Sequence, residues 1–207
     1  MVYVIRELRA LDIFSLDKMY DSLSDMSKLF LHLGYLGFES VGFSWFQIHV
    51  ALFLSSIRVI RKVLKRLFPF LVFFSLIIVD EDNTMIGFSL VKFKGRLKRG
   101  GWWAELIMGL RNDYQGKGLG SKLMIATVQQ ARSEDVKGIF LTALKINVGA
   151  LHFYQNHGFK MKQIVKDKVH WNERKYDNVE MWFDITLPNP RYTAQKQDQA
   201  MFVKDKK

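Results

Sequence analysis

Residues 115–121 of this chain read Gln115-Gly116-Lys117-Gly118-Leu119-Gly120-Ser121. They follow a predicted strand, Trp102–Leu110, and precede a predicted helix, Ser121–Arg132. Glycines in such a turn let the backbone approach a ligand closely, and a helix start presents free N–H groups and a positive dipole end to a phosphate. The stretch therefore predicts a phosphate-binding turn in which Lys117 adds charge, although a purely structural turn has the same composition.

Two common phosphate-binding motifs do not fit this turn. The chain has no Gly-x-x-x-x-Gly-Lys-Ser/Thr sequence, which excludes a Walker-type loop. The glycines follow the spacing Gly-x-Gly-x-Gly, whereas the dinucleotide fingerprint is Gly-x-Gly-x-x-Gly. Any phosphorylated ligand is therefore of another class.

The composition narrows the chemistry. The chain has 207 residues, of which 49% are hydrophobic and 25% charged, as is typical of a soluble globular protein. It contains no cysteine, which excludes disulfides, thiolate metal sites and a cysteine nucleophile. The five histidines lack metal-ligand spacing, so we expect no metal site. The lack of cysteine is compatible with a reducing compartment, and we expect a cytoplasmic protein.

The charge is strongly positive. A formal net charge of +11 favours polyanionic partners such as nucleic acid or an anionic membrane. The clearest basic pattern covers residues 57–67, where apolar and basic side chains fall on opposite faces of a helix that ends before Pro69. This basic helix predicts either a surface for such a partner or a helix packed on a sheet with its basic face in water.

The remaining elements indicate a mixed α/β sheet. Two strands, Phe70–Val79 and Met85–Phe93, precede Trp102–Leu110 and predict an antiparallel block, with a basic turn at residues 94–101. The basic residues in and beside this turn are expected to serve solubility, and they are Lys92, Lys94, Arg96, Lys98 and Arg99. The helix between Trp102–Leu110 and the buried strand Ile139–Leu144 predicts a parallel pair. Other predicted elements are the strand Val2–Ile5, the helix Ile13–Leu23 capped by Asp12, helix and turn within residues 24–42, the helix Val148–Gln155, and the strands Lys160–Val169 and Val179–Ile185.

A second motif follows the glycine turn at residues 147–159. It fits the pattern Asn-x-x-Ala-x-x-x-Tyr-x-x-x-Gly-Phe, which is filled by Asn147, Ala150, Tyr154, Gly158 and Phe159. A helix and a strand are predicted between the two motifs. Two motifs in this order and at this spacing are a more specific signal than either motif alone.

Together the two motifs resemble those of the GNAT superfamily of acyl-CoA-dependent N-acyltransferases. The pyrophosphate loop of that superfamily reads (Arg/Gln)-x-x-Gly-x-(Gly/Ala), and Gln115, Gly118 and Gly120 fill it. Asn112 stands where the superfamily commonly has proline. The resemblance is sharp over Trp102–Phe159 and only topological in the rest of the chain.

The resemblance implies one domain over residues 1–187, with an extended helical segment at about 25–68 and a polar basic tail over residues 188–207. The implied fold is a GNAT-like central mixed sheet, mostly antiparallel, of about six to seven strands flanked by about four helices. Two parallel strands, Trp102–Leu110 and Ile139–Leu144, would splay apart at the acyl-CoA site.

The resemblance also implies the roles of individual residues toward acetyl-CoA. The backbone near Leu110 would bond the pantetheine amides, Asn147 would lie near the pantetheine arm, and Tyr154 would protonate the leaving thiolate. The pyrophosphate would be bound by backbone N–H groups of the consecutive residues Gln115, Gly116, Lys117, Gly118, Leu119, Gly120 and Ser121.

Glu105 is the predicted general base. It lies inside the apolar strand Trp102–Leu110, where a charge is costly without a task, and some GNAT enzymes carry a glutamate on this strand for that purpose. The alternative is a residue at the rim of the cleft that pairs with a cation. His170, Trp171 and Tyr176 are predicted in the loop between the last two strands, which lines the acceptor cleft in this fold.

The resulting hypothesis is an N-acyltransferase that moves an acetyl group from acetyl-CoA to a primary amine by direct attack in a ternary complex. Two alternatives remain open. The first is a non-catalytic acyl-CoA-binding regulator, and the second is a nucleic-acid or anionic-membrane binder that uses residues 57–67. The acceptor amine and the acyl chain length are not specified by the sequence, and a homodimer is compatible with the fold.

Overall fold

The computed structural model describes residues 2–30, 73–98 and 100–193. Their strands form a seven-stranded sheet in the order β1-β2-β3-β4-β5-β7-β6. Every neighbouring pair is antiparallel except β4 and β5, which confirms the predicted mixed, mostly antiparallel architecture. The strands are β1 Val4–Glu7, β2 Phe73–Val79, β3 Met85–Arg96, β4 Trp102–Leu110, β5 Val136–Leu144, β6 Lys160–Trp171 and β7 Arg174–Asp184.

Helices cover both faces of this sheet. They are α1 Ile13–Asp21, α2 at residues 25–30, α3 Leu119–Ser133, α4 Val148–Asn156 and α5 Pro190–Thr193. Side chains alternate along β4, so Leu106 packs in the cluster that holds Met124 and Val128 of α3, whereas Ile107 packs with Leu16 and Met19 of α1. The same alternation places the β4 side chains at positions 105 and 107 on the α1 face.

The parallel pair separates partway along its length. Backbone pairing of β4 with β5 runs from Trp102 opposite Val136 to Glu105 opposite Phe140. Both strands then continue, to Leu110 and to Leu144 respectively, without further mutual pairing in the described sheet. The two strands therefore form a fork that begins directly after Glu105.

Asp12 does not cap α1 as predicted. It is the residue directly before the helix, but its side chain makes no capping hydrogen bond. Instead, the Asp12 carboxylate accepts hydrogen bonds from the guanidinium group of Arg6 at 2.6 and 2.9 Å and from the Arg9 N–H at 2.6 Å. Burial alone would raise the pKa of Asp12, but these hydrogen bonds lower it below its ordinary value. Asp12 pairs with Arg6 instead of capping α1 because Arg6 is buried and requires a counter-charge.

The hairpin of β6 and β7 is longer than predicted. Asn172 and Glu173 take positive φ angles of 45° and 63°, which is the geometry of a tight two-residue turn. Because the turn is that short, the predicted loop between the last two strands does not exist, and His170, Trp171 and Tyr176 belong to the strands themselves.

The packed domain extends beyond the boundary expected at residue 187. Tyr192 of α5 is buried, and its hydroxyl donates to the carbonyl oxygen of His157 at 2.8 Å. Its ring also contacts Phe183 of β7. Residues up to Tyr192 therefore contribute to the core, and the expected tail does not begin at residue 188.

Replacing Tyr192 with alanine is expected to lower the free energy of unfolding by about 3–5 kcal/mol, the usual range for deleting a buried aromatic side chain. Phenylalanine at the same position should cost only about 1–3 kcal/mol, because the His157 carbonyl loses its donor while the packing remains. Urea unfolding measures both variants. An alanine variant as stable as the parent would show that α5 is not packed on the domain.

Several predictions fall outside the described residues. They are the basic helix at 57–67, most of the extended helical segment at about 25–68, and the chain after residue 193. None of the helices in the described ranges combines the length and the apolar composition that a membrane-spanning helix requires.

Candidate functional site

A cavity of about 500 Å³ opens where β4 and β5 separate. Its walls come from the end of β4, the glycine turn, the end of β5, α4 and α2. Phe30 of α2 and Tyr154 of α4 both line it, although these helices lie on opposite faces of the sheet. The cavity therefore passes through the sheet at the fork, so that reacting groups can approach it from either face of the sheet.

The glycine turn forms one end of the cavity. Gly116 and Gly118 have φ angles of 72° and 77°, and among the described residues no other atom lies within 4 Å of the position that a Cβ would take on either glycine. Gly118 precedes α3 without a side-chain cap, so the first N–H groups of this helix are open to a ligand. Gln115, Gly116, Gly118, Gly120 and Ser121 line the cavity, as a phosphate cradle requires.

Leu119 and Lys117 contribute differently from their neighbours. The Leu119 side chain is buried in the core, so only its backbone can meet a ligand. Lys117 is exposed, and its Nζ lies 5.3 Å from the centre of the Tyr114 ring, which also carries the Arg111 guanidinium at 5.2 Å. Arg111 is partly neutralised by Asp113 at 3.0 Å. Lys117 has no ion pair among the described residues and adds an uncompensated positive charge beside the turn.

Gln115 connects the turn to the strand before it. Its Nε2 donates to the carbonyl oxygen of Leu110 at 3.1 Å. Leu110 lines the cavity, and a Cβ on Gly120 would lie only 3.3 Å from Leu110 Cδ1 and 3.4 Å from Phe153 Cε2. The close approach of α3, β4 and α4 at Gly120 keeps this end of the cavity narrow.

Asn147 lines the cavity and also caps α4. Its Oδ1 accepts a hydrogen bond from the Ala150 N–H at 3.2 Å, the usual bond of an N-cap residue. This contact gives a physical reason for asparagine at the first position of the second motif; because the donor is a backbone N–H, it does not depend on the alanine side chain. A role toward the pantetheine arm stays a prediction.

Tyr154 lies beyond Asn147 on the same helix. Its ring is half-buried and packs against Phe153 and Phe159, with ring centres 5.4 and 5.6 Å away. Burial raises the pKa of Tyr154 to about 12. Its hydroxyl makes no hydrogen bond within the part of the chain that is described. The site therefore contains a phenol that keeps its proton at neutral pH and is free to donate it.

Glu105 does not line the cavity. It lies at the last paired position before the fork, 8% exposed, and its Oε2 lies 3.1 Å from Lys94 Nζ. Lys92 is directly opposite Glu105 on β3 and is also buried. Burial lowers the pKa of Lys92, and the nearby Lys94 cation lowers it further, against the attraction of Glu105.

The prediction of a solvated basic turn was wrong for Lys92 and Lys94. Both belong to β3, which continues to Arg96. Their spacing of two residues next to an apolar strand places them on one face of that strand, which was the signal that they belong to it. That the same face carries Glu105 follows from the β3–β4 register. The ion pair corresponds to the alternative stated for Glu105, a carboxylate that pairs with a cation, and leaves its role as a base a prediction.

The other candidates lie around the cavity rather than in it. Trp171 and Tyr176 pack with Leu144, Leu29 and Phe30 against α2, and His170 is exposed. His157 is buried in the core behind Phe153, with its Nδ1 2.7 Å from the Phe153 carbonyl oxygen. Across residues 2–30, 73–98 and 100–193, no group of side chains could hold a metal ion.

Comparisons with known proteins agree with the motif resemblance. The family described as "Acetyltransferase (GNAT) family" matches residues 49–159. The Bacillus subtilis (strain 168) protein YxbD is 23% identical over 110 residues, which cover 53% of this chain and 65% of that protein. A Bacillus subtilis subsp. natto protein named "Probable spermine N(1)-acetyltransferase" is 30% identical over 84 residues, which cover 38% of this chain and 55% of that protein. The chain thus spans less than two thirds of the length of either relative.

A solved structure shares the fold. It is the phosphinothricin acetyltransferase of Sinorhizobium meliloti in complex with AcCoA, with a TM-score of 0.64, 17% identity and 89% coverage of both chains. At this identity the likeness concerns the architecture of the sheet and its helices.

Proposed function

Because the chain belongs to the acetyltransferase (GNAT) family, we propose that it transfers an acetyl group from acetyl-CoA to a primary amine. The observation that carries the proposal is the cavity through the sheet. It has a glycine cradle with open N–H groups at one end, and a half-buried, protonated tyrosine lines its wall. A phosphorylated, thioester-bearing ligand suits such a channel.

The donor would be held mainly by backbone groups. N–H groups of residues 116–121 would bind the pyrophosphate, assisted by the dipole of α3 and by Lys117. The arm would run along β4 from Leu110 toward the start of the fork, where backbone groups of β4 that do not pair with β5 can bond its amides. An N–H group of β4 would hold the thioester oxygen, which polarises the carbonyl carbon.

The chemistry would proceed from the two faces of the sheet. A neutral amine would attack the thioester carbonyl carbon from the α2 face, and the carbon–sulfur bond would break. Tyr154, on the opposite face, would give its proton to the leaving sulfur. The extra proton on the attacking nitrogen would pass through water to Glu105, which lies just outside the cavity. The products would be an N-acetylated amine and CoA with a free thiol.

The test is the release of CoA thiol from acetyl-CoA by the purified protein with a panel of amines. The panel includes spermine, because one relative carries that substrate in its name, together with amino acids, aminosugars and peptides with free N-termini. Release that depends on one of these amines, with the acetylated product identified by mass, supports the proposal. Tight acetyl-CoA binding without turnover on any amine would instead indicate a non-catalytic acyl-CoA-binding regulator.

Glu105→Gln is expected to lower turnover most at low pH, where the fraction of neutral amine is smallest and a proton acceptor matters most. Lys94→Met is the matched control, because it removes the same ion pair but keeps the carboxylate. Initial rates across the pH range measure both variants. An unchanged pH–rate profile in Glu105→Gln would remove Glu105 from the mechanism and leave it as the structural partner of Lys94.

A further inference from the structure

Asn112, which replaces the proline common in the superfamily, makes a long-range contact. It lies in the short turn Asn112–Tyr114 that follows β4. Its Nδ2 donates to Ser24 Oγ at 3.1 Å, and the Ser24 N–H points to Asn112 Oδ1 at 3.5 Å. Proline has no side-chain group for either bond, so this residue gives the donor side of the site a contact that the usual sequence does not provide.

Ser24 is the residue from which α2 begins. Its Oγ accepts a hydrogen bond from the Ser27 N–H at 3.3 Å, and its carbonyl oxygen accepts one from the Lys28 N–H at 2.8 Å. These are the bonds of an N-cap residue. Asn112 therefore holds the first residue of α2 against the end of β4.

The helix α2 forms the cavity wall on the side from which the amine would attack. Ser27 and Phe30 line the cavity. The last described turn of α2 packs through Leu29 on Leu144 and Val169. The helix is thus held by an apolar cluster near residue 30 and by the Asn112 contact at residue 24, with the cavity between them.

We propose that Asn112 is a positioning residue that keeps α2 over this side of the cavity and so keeps water away from the thioester. The inference rests on the proposed function. Water competes with the amine: its oxygen attacks the carbonyl carbon, the carbon–sulfur bond breaks, and acetate, a proton and CoA thiol result. Closing the site against water suppresses this reaction. Asn112 touches no reacting atom and acts through α2 alone.

Acetyl-CoA hydrolysis without any amine tests the proposal, and the acceptor need not be known. Asn112→Ala is expected to release CoA thiol about two to ten times faster than the parent. Loss of one exposed hydrogen bond raises by about this factor the fraction of molecules in which α2 has left its position over the cavity. Calorimetric affinity for CoA should stay unchanged, because the glycine cradle is intact. Asn112→Asp should hydrolyse like the parent, because the Ser24 hydroxyl can donate to its carboxylate.

Two further variants separate this role from others. Asn156→Ala, an exposed asparagine at the end of α4, is the matched control and should hydrolyse like the parent. In a Ser24→Ala background, Asn112→Ala should change hydrolysis little further, because Ser24→Ala has already removed the Oγ that Asn112 contacts, together with the cap of α2. Parent-like hydrolysis in Asn112→Ala, or a parallel loss of CoA affinity, would overturn the proposal. A parent protein that does not bind acetyl-CoA would contradict the proposed function itself.

Discussion

Tyr154→Phe is expected to lower kcat by about 100-fold or more, the lower end of what a general acid contributes, while the affinity for acetyl-CoA stays within about twofold. The substitution removes only the hydroxyl group, and phenylalanine can keep the ring contacts with Phe153 and Phe159. A raised pKa of about 12 means that the parent carries this proton at every ordinary assay pH. Without it, the sulfur must leave as a thiolate or take its proton from water.

Rates of thiol release with a reactive amine, together with calorimetric affinities, measure this effect. Tyr20→Phe is the control, because Tyr20 is another partly buried tyrosine that packs with the α1 cluster and does not line the cavity. A drop in kcat matched by an equal drop in affinity would show that Tyr154 shapes the donor pocket rather than supplying a proton.

Gly118→Val is expected to weaken acetyl-CoA binding by about 100-fold or more. Several contacts of the α3 start with the pyrophosphate, each worth roughly 0.3–2 kcal/mol, would be lost together. A side chain at this residue points into open space in the free protein, so it meets the ligand rather than the protein. The φ angle of 77° also strains valine by about 1–2 kcal/mol.

Gly100→Val separates these two effects. Gly100 has a φ angle of 85°, and no atom of the described parts of the chain lies within 4 Å of the position of a Cβ, so valine there carries the same backbone strain away from the cavity. Thermal unfolding and calorimetry of both variants make the comparison. Normal acetyl-CoA affinity in Gly118→Val would mean that the glycine turn is structural and that the phosphate lies elsewhere.

Local sequence patterns were sufficient for most of the sheet. The bounds of β4 were predicted to the residue, because Trp102 and Leu110 stand between glycine-rich and polar turns that end a strand on both sides. The glycine turn and the α4 motif were also found, since their spacing is set by contacts within a few residues. Asn147, for example, caps the helix that carries Tyr154.

Contacts between distant residues were not predictable in this way. The pairing of Lys94 with Glu105 depends on the β3–β4 register, and the contact of Asn112 with Ser24 joins residues 88 positions apart. Tyr192 follows Pro188 and Pro190, which suggested the end of the packed domain, yet its hydroxyl bonds the carbonyl oxygen of His157 in the core. In each case the partner is determined by the tertiary arrangement, which periodicity does not encode.

Beyond Glu105 the sheet has a gap, because β4 and β5 no longer pair with each other there. The backbone groups on the facing sides of β4 and β5 do not pair with each other in this part of the described sheet, and such rows at an outer edge would attract other polypeptides and promote aggregation. Here they line the cavity between α4 and α2. In the proposed complex the pantetheine arm of acetyl-CoA would bridge the two strands, so bound acetyl-CoA is expected to raise the free energy of unfolding of the protein.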